Sequence, residues 1–222
     1  MTLHFDLFWS FRSPYSYLVT PRIVALEREY DVVCAVRIVY PIAVRQADFF
    51  SNNDPLWLPY FLRDVFRSAE FAGLPLRWPK PDPVVMDPVT RSYPAEQPLI
   101  HRLSQLGALA AERGKGLGFI DEVSRIIWSG STDDWDKGDH LAQAAARAGL
   151  DLAQMDAVVA AQAPRLDAII KANQADQRAG GHYGVPLMVY DGEPFFGQDR
   201  FDQLKWRLNQ RGLARRQGQN LG

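Results

Sequence analysis

The sequence predicts an α/β fold: a small mixed sheet built from the two ends of the chain, with a large all-helical insertion between them. Three observations predict it. Near the N-terminus, two apolar runs of strand length flank an amphipathic stretch, a β-α-β pattern. Near the C-terminus, two short apolar runs meet at Asp191-Gly192 and lead into another amphipathic stretch, a β-β-α pattern. Between them, helical spacing dominates. On this reading residues 1–56 and 176–222 form the sheet-bearing domain and residues 57–175 the insertion. A chain of 222 residues has room for both.

Residues 3–9 (Leu-His-Phe-Asp-Leu-Phe-Trp) are aromatic and aliphatic and predict a buried strand. Residues 14–30 place Tyr17, Leu18, Ile23, Val24 and Leu26 at helical spacing. Pro14 suits the first helical position, where its missing N–H does no harm. Pro21 is expected to kink or restart the helix. Val32 to Tyr40 is β-branched and alternates Val32, Cys34, Val36 and Ile38 against Val33, Ala35 and Arg37, a second strand. Strands joined by a crossover helix of this length run parallel. Residues 41–56 read as a loop centred on Ser51-Asn52-Asn53-Asp54-Pro55.

Trp57 to Phe71 then reads as a helix. Seven prolines between Pro75 and Pro98 forbid a long helix over 73–98, so an extended, ordered segment is expected. Ile100 to Arg113, Phe119 to Trp128, Asp139 to Ala148 and Leu152 to Ala175 are helical by spacing. Leu187 to Tyr190 and Glu193 to Phe196 form a hairpin, and Asp199 to Asn209 closes as a helix. Residues 210–222 read as a frayed end.

Composition narrows the function. With 47% hydrophobic and 23% charged residues the chain is ordinary for a globular protein, and a net charge of −1 argues against a nucleic-acid partner. No apolar run approaches the ~18–20 residues that span a bilayer, so no membrane association is expected. The first residues lack a basic segment followed by an apolar one, and a cytoplasmic location is the expectation. Cys34 is the one cysteine, so no internal disulfide forms, and its apolar surroundings predict a buried thiol. His4, His101, His140 and His182 are scattered without ligand spacing, and no metal is expected.

Three short stretches carry chemistry. Ser13 follows a strand and precedes a helix. That is an N-cap position, and the same geometry suits an anion, because the helix dipole and free N–H groups favour negative charge there. A helix N-terminus lowers a thiol pKa by about one unit or more, so Ser13 can hold ionised a thiolate supplied by another molecule. Gly184-Val185-Pro186 precedes a strand, and a cis Val185–Pro186 bond would present the Val185 backbone to an extended peptide-like ligand. In Gly197-Gln198-Asp199-Arg200, Asp199 reads as a helix cap or as the partner of an ammonium group, with Gln198 and nearby N–H groups for a carboxylate.

Together these stretches resemble the thioredoxin-fold branch that holds DsbA-type oxidoreductases, kappa-class glutathione transferases and 2-hydroxychromene-2-carboxylate isomerases. Phe5 to Leu18, with Ser-Pro-Tyr-Ser-Tyr-Leu, is similar to the isomerase and kappa signature, in which Ser replaces the reactive Cys. Tyr183-Gly184-Val185-Pro186 looks like the family's cis-proline step, and Gly197-Gln198-Asp199-Arg200 like its Gly-x-Asp-Arg segment. The resemblance spans essentially residues 3–210 and implies a thioredoxin-like fold with glutathione as cofactor. By it, Ser13 is catalytic and faces the glutathione sulfur, the backbone of Val185 before Pro186 pairs with the cysteinyl unit, and Gln198 and Asp199 hold the γ-glutamyl end. Asn53 matches the family's polar loop residue. Arg12, where relatives carry a small or apolar residue, adds positive charge beside the thiolate or binds a substrate carboxylate. Ser10 stands where relatives commonly carry an acid, and Trp57 near an expected lysine.

The implied activity is glutathione-dependent cis-trans isomerisation of a 2-hydroxychromene-2-carboxylate type substrate, an aromatic-degradation intermediate. The implied assembly is a homodimer. Trp9, Phe11, Phe50 and aromatics of the insertion are candidates for an apolar wall against a flat substrate. Two further readings share the site: a kappa-like glutathione transferase that conjugates electrophiles, and a non-catalytic thiol-peptide binder.

Overall fold

The structure, a computed structural model, describes residues 2–46, 49–50, 52–87 and 92–216. Ser51, Pro88 and the tail from 217 to 222, which the sequence reading puts in loops and a frayed end, lie outside the described residues. β1 (Leu3–Trp9), α1 (Pro14–Glu29) and β2 (Val32–Ile38) make the parallel unit, with Leu3 opposite Val32 and Trp9 opposite Ile38. Alternation sets the faces. Phe5, Leu7 and Trp9 point into the main core with Val32, Val36 and Ile38, while Arg37 faces out and pairs with Asp6 at 2.8 Å.

Along the chain follow α2 (Ile42–Arg45), α3 (Trp57–Ala72), α4 (Pro98–Glu112), α5 (Gly116–Trp128), α6 (His140–Arg147) and α7 (Leu152–Ala179). The sheet is completed by β3 (Leu187–Tyr190) and β4 (Glu193–Phe196), both antiparallel to their neighbours, giving the order β2-β1-β3-β4. Asp191 and Gly192 have φ of 51° and 76°. Two successive left-handed residues are what a tight hairpin turn needs, and Asp-Gly is suited to them. A 3₁₀ turn (Gln198–Arg200) runs into α8 (Phe201–Gln210).

Four details differ from the sequence reading. α1 runs on through Pro21 without a break. Residues 42–45 form a helical turn inside the expected loop. α7 reaches Ala179, four residues further than expected, and breaks its helical geometry at Gln162 (φ −133°), just before Pro164, whose ring cannot follow an unbroken turn. Residues 213–216 are not frayed: Asp31 N–H donates to Ala214 O at 2.8 Å, Arg216 N–H to Glu29 O at 3.0 Å, and Leu213 packs on the core.

Among the described residues, the proline-rich segment is extended and tied down as expected. Arg77 N–H donates to Trp128 O (2.8 Å), Trp135 Nε1 to Pro81 O (2.8 Å), and the buried Gln97 amide exchanges hydrogen bonds with the Val85 backbone. One apolar cluster joins the β1 face (Leu7, Trp9) to α1, α4, α5, α7 and α8, and a smaller one (Phe8, Val39, Leu187) lies on the other face.

Candidate active site

Sequence places Ser13 between the end of β1 and Pro14, and the structure uses it as the N-cap of α1. Its φ and ψ are extended (−104°, 114°), and Oγ accepts from Ser16 N–H at 3.2 Å. The Ser13 hydroxyl donates to Val185 O at 3.4 Å. That is long for an O–H···O bond, so the proton is held loosely and is easily turned to a stronger acceptor. The first turn of α1 carries no acidic side chain, so the positive end of its dipole is not offset from within the helix.

The Val185–Pro186 bond is cis. β3 starts at the next residue and pairs with β1, with Leu187 opposite Phe8, which brings the Val185 carbonyl to Ser13. Pro186 O accepts from Gly197 N–H at 2.9 Å, and this ties the 3₁₀ turn to the same step. The same turn lies against α1, where Arg22 Nη1 reaches Gln198 O at 3.5 Å. Asp199 is open to solvent and, among the described residues, pairs with its neighbour Arg200, at 2.7 Å. The structure thus brings Ser13, Val185, Pro186, Gln198 and Asp199 to one end of the sheet.

Arg12 and Asn53 have other partners. The Arg12 guanidinium makes a two-pronged pair with Asp82, at 2.5 and 2.6 Å, and lies 4.5 Å over the Trp78 ring. Asp82 also accepts from Trp78 Nε1 and Val84 N–H. Arg12 therefore anchors the proline-rich segment next to Ser13, with its charge answered by a carboxylate of the chain itself. Asn53 Nδ2 donates to Phe49 O at 2.9 Å and shapes the loop that carries Phe49 and Phe50.

A set of aromatic contacts runs from α3 to the α1 N-terminus and to the segment ahead of Val185. Trp57 and Phe61 stack in α3 at 5.0 Å, Phe50 packs on Trp57 and Tyr93, and Phe49 reaches toward Tyr183. Tyr15 meets Phe61 edge-on. Phe50 belongs to this wall as expected, but Trp9 and Phe11 do not. Both are fully buried in the core, where Trp9 Nε1 bonds Ser16 O and Thr20 Oγ1. The alternation of β1 sends Trp9 inward with Leu7.

Several residues here were not singled out from sequence. The Tyr15 hydroxyl donates to Asp64 Oδ2 at 2.6 Å; burial first, then that carboxylate, pushes the phenol far up and keeps it protonated. Asp64 is held below the usual carboxylate range, chiefly by that hydrogen bond and also by Arg67. His182 Nδ1 accepts from Gly184 N–H at 2.9 Å, and burial lowers its pKa, so the ring is neutral. Gln177 Nε2 donates to Gly184 O at 2.7 Å. Asp64 lies far in sequence from Tyr15, Gln177 reads as an ordinary polar helix position, and His182 sits in an irregular segment, so spacing gives no signal.

Comparisons with known proteins follow the same lines. The family model described as a DSBA-like thioredoxin domain matches residues 4–209. No curated protein matches. Among solved structures the chain is similar to a 2-hydroxychromene-2-carboxylate isomerase, with a TM-score of 0.69 and 20% identity over 94% of this chain and 95% of that one. It is similar to a probable DsbA oxidoreductase from Streptomyces coelicolor, with a TM-score of 0.63 and 18% identity over 94% and 89%. It is also similar to the cytosolic disulfide reductase DsbM from Pseudomonas aeruginosa with GSH, with a TM-score of 0.55 and 16% identity over 93% and 100%. At these identities the likeness concerns the fold.

Proposed function

From the premise that the chain belongs to the DSBA-like thioredoxin domain family, we propose that it is a glutathione-dependent cis-trans isomerase of the 2-hydroxychromene-2-carboxylate type. One observation carries this reading. The residue that caps α1 beside the cis-proline step is Ser13, and the one cysteine, Cys34, is buried in β2 with its thiol pushed up by burial. A chain without a usable thiol at this position has to borrow one. The isomerase neighbour supports the reaction class, and the disulfide reductase with GSH supports the choice of glutathione.

The residues present fit that tripeptide. Ser13 offers a hydroxyl whose proton is loosely held, and the first turn of α1, where Pro14 has no N–H and Ser13 caps that of Ser16, offers the Tyr15 N–H. The Val185 backbone lies next to them, and exposed Asp199 suits an ammonium group. When bound, glutathione supplies a thiolate that adds reversibly to a conjugated double bond, which permits rotation there before the thiolate leaves. Ser13 donates to the sulfur and, with the α1 dipole, holds it ionised. Arg12 keeps the Trp78–Val84 segment in place beside Ser13. Trp57, Phe61 and Phe50 give a flat substrate a face to stack on. The homodimer and a cytoplasmic location stay part of the same proposal. Among the described residues, no helix is long and apolar enough to cross a membrane.

The test is product analysis with glutathione and a chromene-type carboxylate. An isomer free of glutathione supports the reading. A thioether adduct moves it to the kappa-like transferase, and binding without turnover moves it to a thiol-peptide binder. Ser13→Ala is expected to lower turnover about a hundredfold, the size seen when one charge-stabilising donor is lost. The same change removes a helix cap, so stability should fall by only about 1 kcal/mol. In a crystal soak, the glutathione sulfur is expected at ~3–3.5 Å from Ser13 Oγ. Unchanged turnover in the variant would remove Ser13 from the mechanism.

A further inference from the structure

We infer that Gln177 and Arg45 are positioning residues that hold the Tyr183–Val185 backbone against Ser13 and thereby set how a bound thiol peptide pairs with it; the pairing half rests on the glutathione reading above. The observations lie behind the cis-proline step. Gln177, fully buried on α7, donates through Nε2 to Gly184 O at 2.7 Å. Its Oε1 accepts from Arg45 Nη1 at 3.1 Å, and Arg45 Nη2 donates to Tyr183 O at 3.0 Å. Two consecutive carbonyls just before Val185 are therefore gripped by side chains from α7 and α2. The intervening Gly184 N–H is held by His182 Nδ1 at 2.9 Å, and Pro186 O by Gly197 N–H at 2.9 Å. The Val185 carbonyl that meets Ser13 sits in the middle of this bracket.

Two features say that the bracket is more than filling. Burying an amide and a guanidinium is costly, the more so because Arg45 Nε is buried without a partner among the described residues, and an apolar residue would fill the same volume more cheaply. Burial and the nearby charge of Arg178 bring the Arg45 pKa down to about 10, and its two Nη contacts are to neutral oxygens. The same face of α7 repeats the device. Asn173 Nδ2 donates to Ile38 O at 2.9 Å, and Gln174 Oε1 accepts from Tyr40 N–H at 3.2 Å. A row of amides thus fixes the backbone at the C-terminal end of β2 and ahead of β3, the sheet end that carries the candidate site. Gly184 itself has no room for a side chain, because a Cβ there would meet the Phe196 ring at 2.5 Å.

Gln177→Glu keeps an acceptor for Arg45 and removes the donor to Gly184 O; Arg45→Lys keeps the charge and removes the fork. Melting curves, amide hydrogen exchange over residues 183–187 and calorimetric titration with reduced glutathione are read on both full-length variants. For Gln177→Glu the melting temperature is expected to fall modestly, because Gly184 O loses its donor and meets a buried carboxylate oxygen, partly offset by the charge of Arg45. Local exchange is expected to quicken about tenfold and glutathione affinity to fall about tenfold, the size of one lost buried hydrogen bond. Arg45→Lys is expected to show the same two local effects with a lower melting temperature. Exchange unchanged in both variants overturns the bracket, whatever glutathione does. Faster exchange with wild-type glutathione affinity overturns the link to ligand pairing. If the wild-type protein takes up no glutathione, the functional reading falls, and the exchange measurement alone decides the bracket.

Discussion

The ring of His182 lies 3.7 Å from that of Phe196 and 4.8 Å from that of Tyr183, both nearly parallel to it. Nδ1 can accept from Gly184 N–H only while that nitrogen is unprotonated. Burial lowers the pKa in the folded chain, so below about pH 6.5 the unfolded chain takes up the proton more readily. The stability from this group is therefore complete above that pH and is lost as pH falls through the lowered folded value. Melting temperature is expected to fall between pH 7.5 and pH 5.5, with a smaller fall in His182→Phe. An NMR titration that finds the His182 pKa at or above its ordinary value would contradict this. At the same scale, Ser13 was legible because a serine between strand and helix has few roles. The partner of Arg12 was not, because Asp82 is seventy positions away and only folding selects it.

Among the elements, α4 shows how close packing overrides propensity. Gly107 sits mid-helix, where alanine is ordinarily better by about 1 kcal/mol. A Cβ at Gly107 would lie 2.9 Å from Phe11 Cε2 and 3.1 Å from Ile38 Cγ1, and both neighbours are fully buried. Overpacking of this kind costs about 1–3 kcal/mol, so the clash wins. Gly107→Ala is expected to lower the denaturation midpoint in urea with an unchanged slope; a raised midpoint would show that Phe11 has room to move. The strands and most helices were legible because their apolar positions repeat at period 2 or 3.6. α2 was not, because four residues give no period, and the last turn of α7 was not, because its inward side chains are amides.

Across the whole molecule, one continuous apolar core joins the sheet to the helices from α3 to α7. Trp9 in β1, Trp128 in α5 and Trp135 are fully buried in it, and Trp128 Nε1 donates to Phe11 O at 3.0 Å, just past the end of β1. The two parts support each other's buried faces, so they are expected to unfold together. Tryptophan fluorescence and far-ultraviolet circular dichroism should give coincident transitions in urea. Two separated transitions would show that the helical block stands alone.

By itself the sequence determined the α/β class, the order of the elements, the hairpin turn at Asp191-Gly192 and the three stretches that meet at the candidate site. Those follow from local periodicity, proline and glycine geometry, and short motifs, which act over a few residues. Only the tertiary structure decided which charges are answered internally, which aromatics are core and which are wall, and that α2 and α7 grip the backbone ahead of Pro186. Many of these contacts join residues tens to more than a hundred positions apart, and those exist only once the core has brought the segments together.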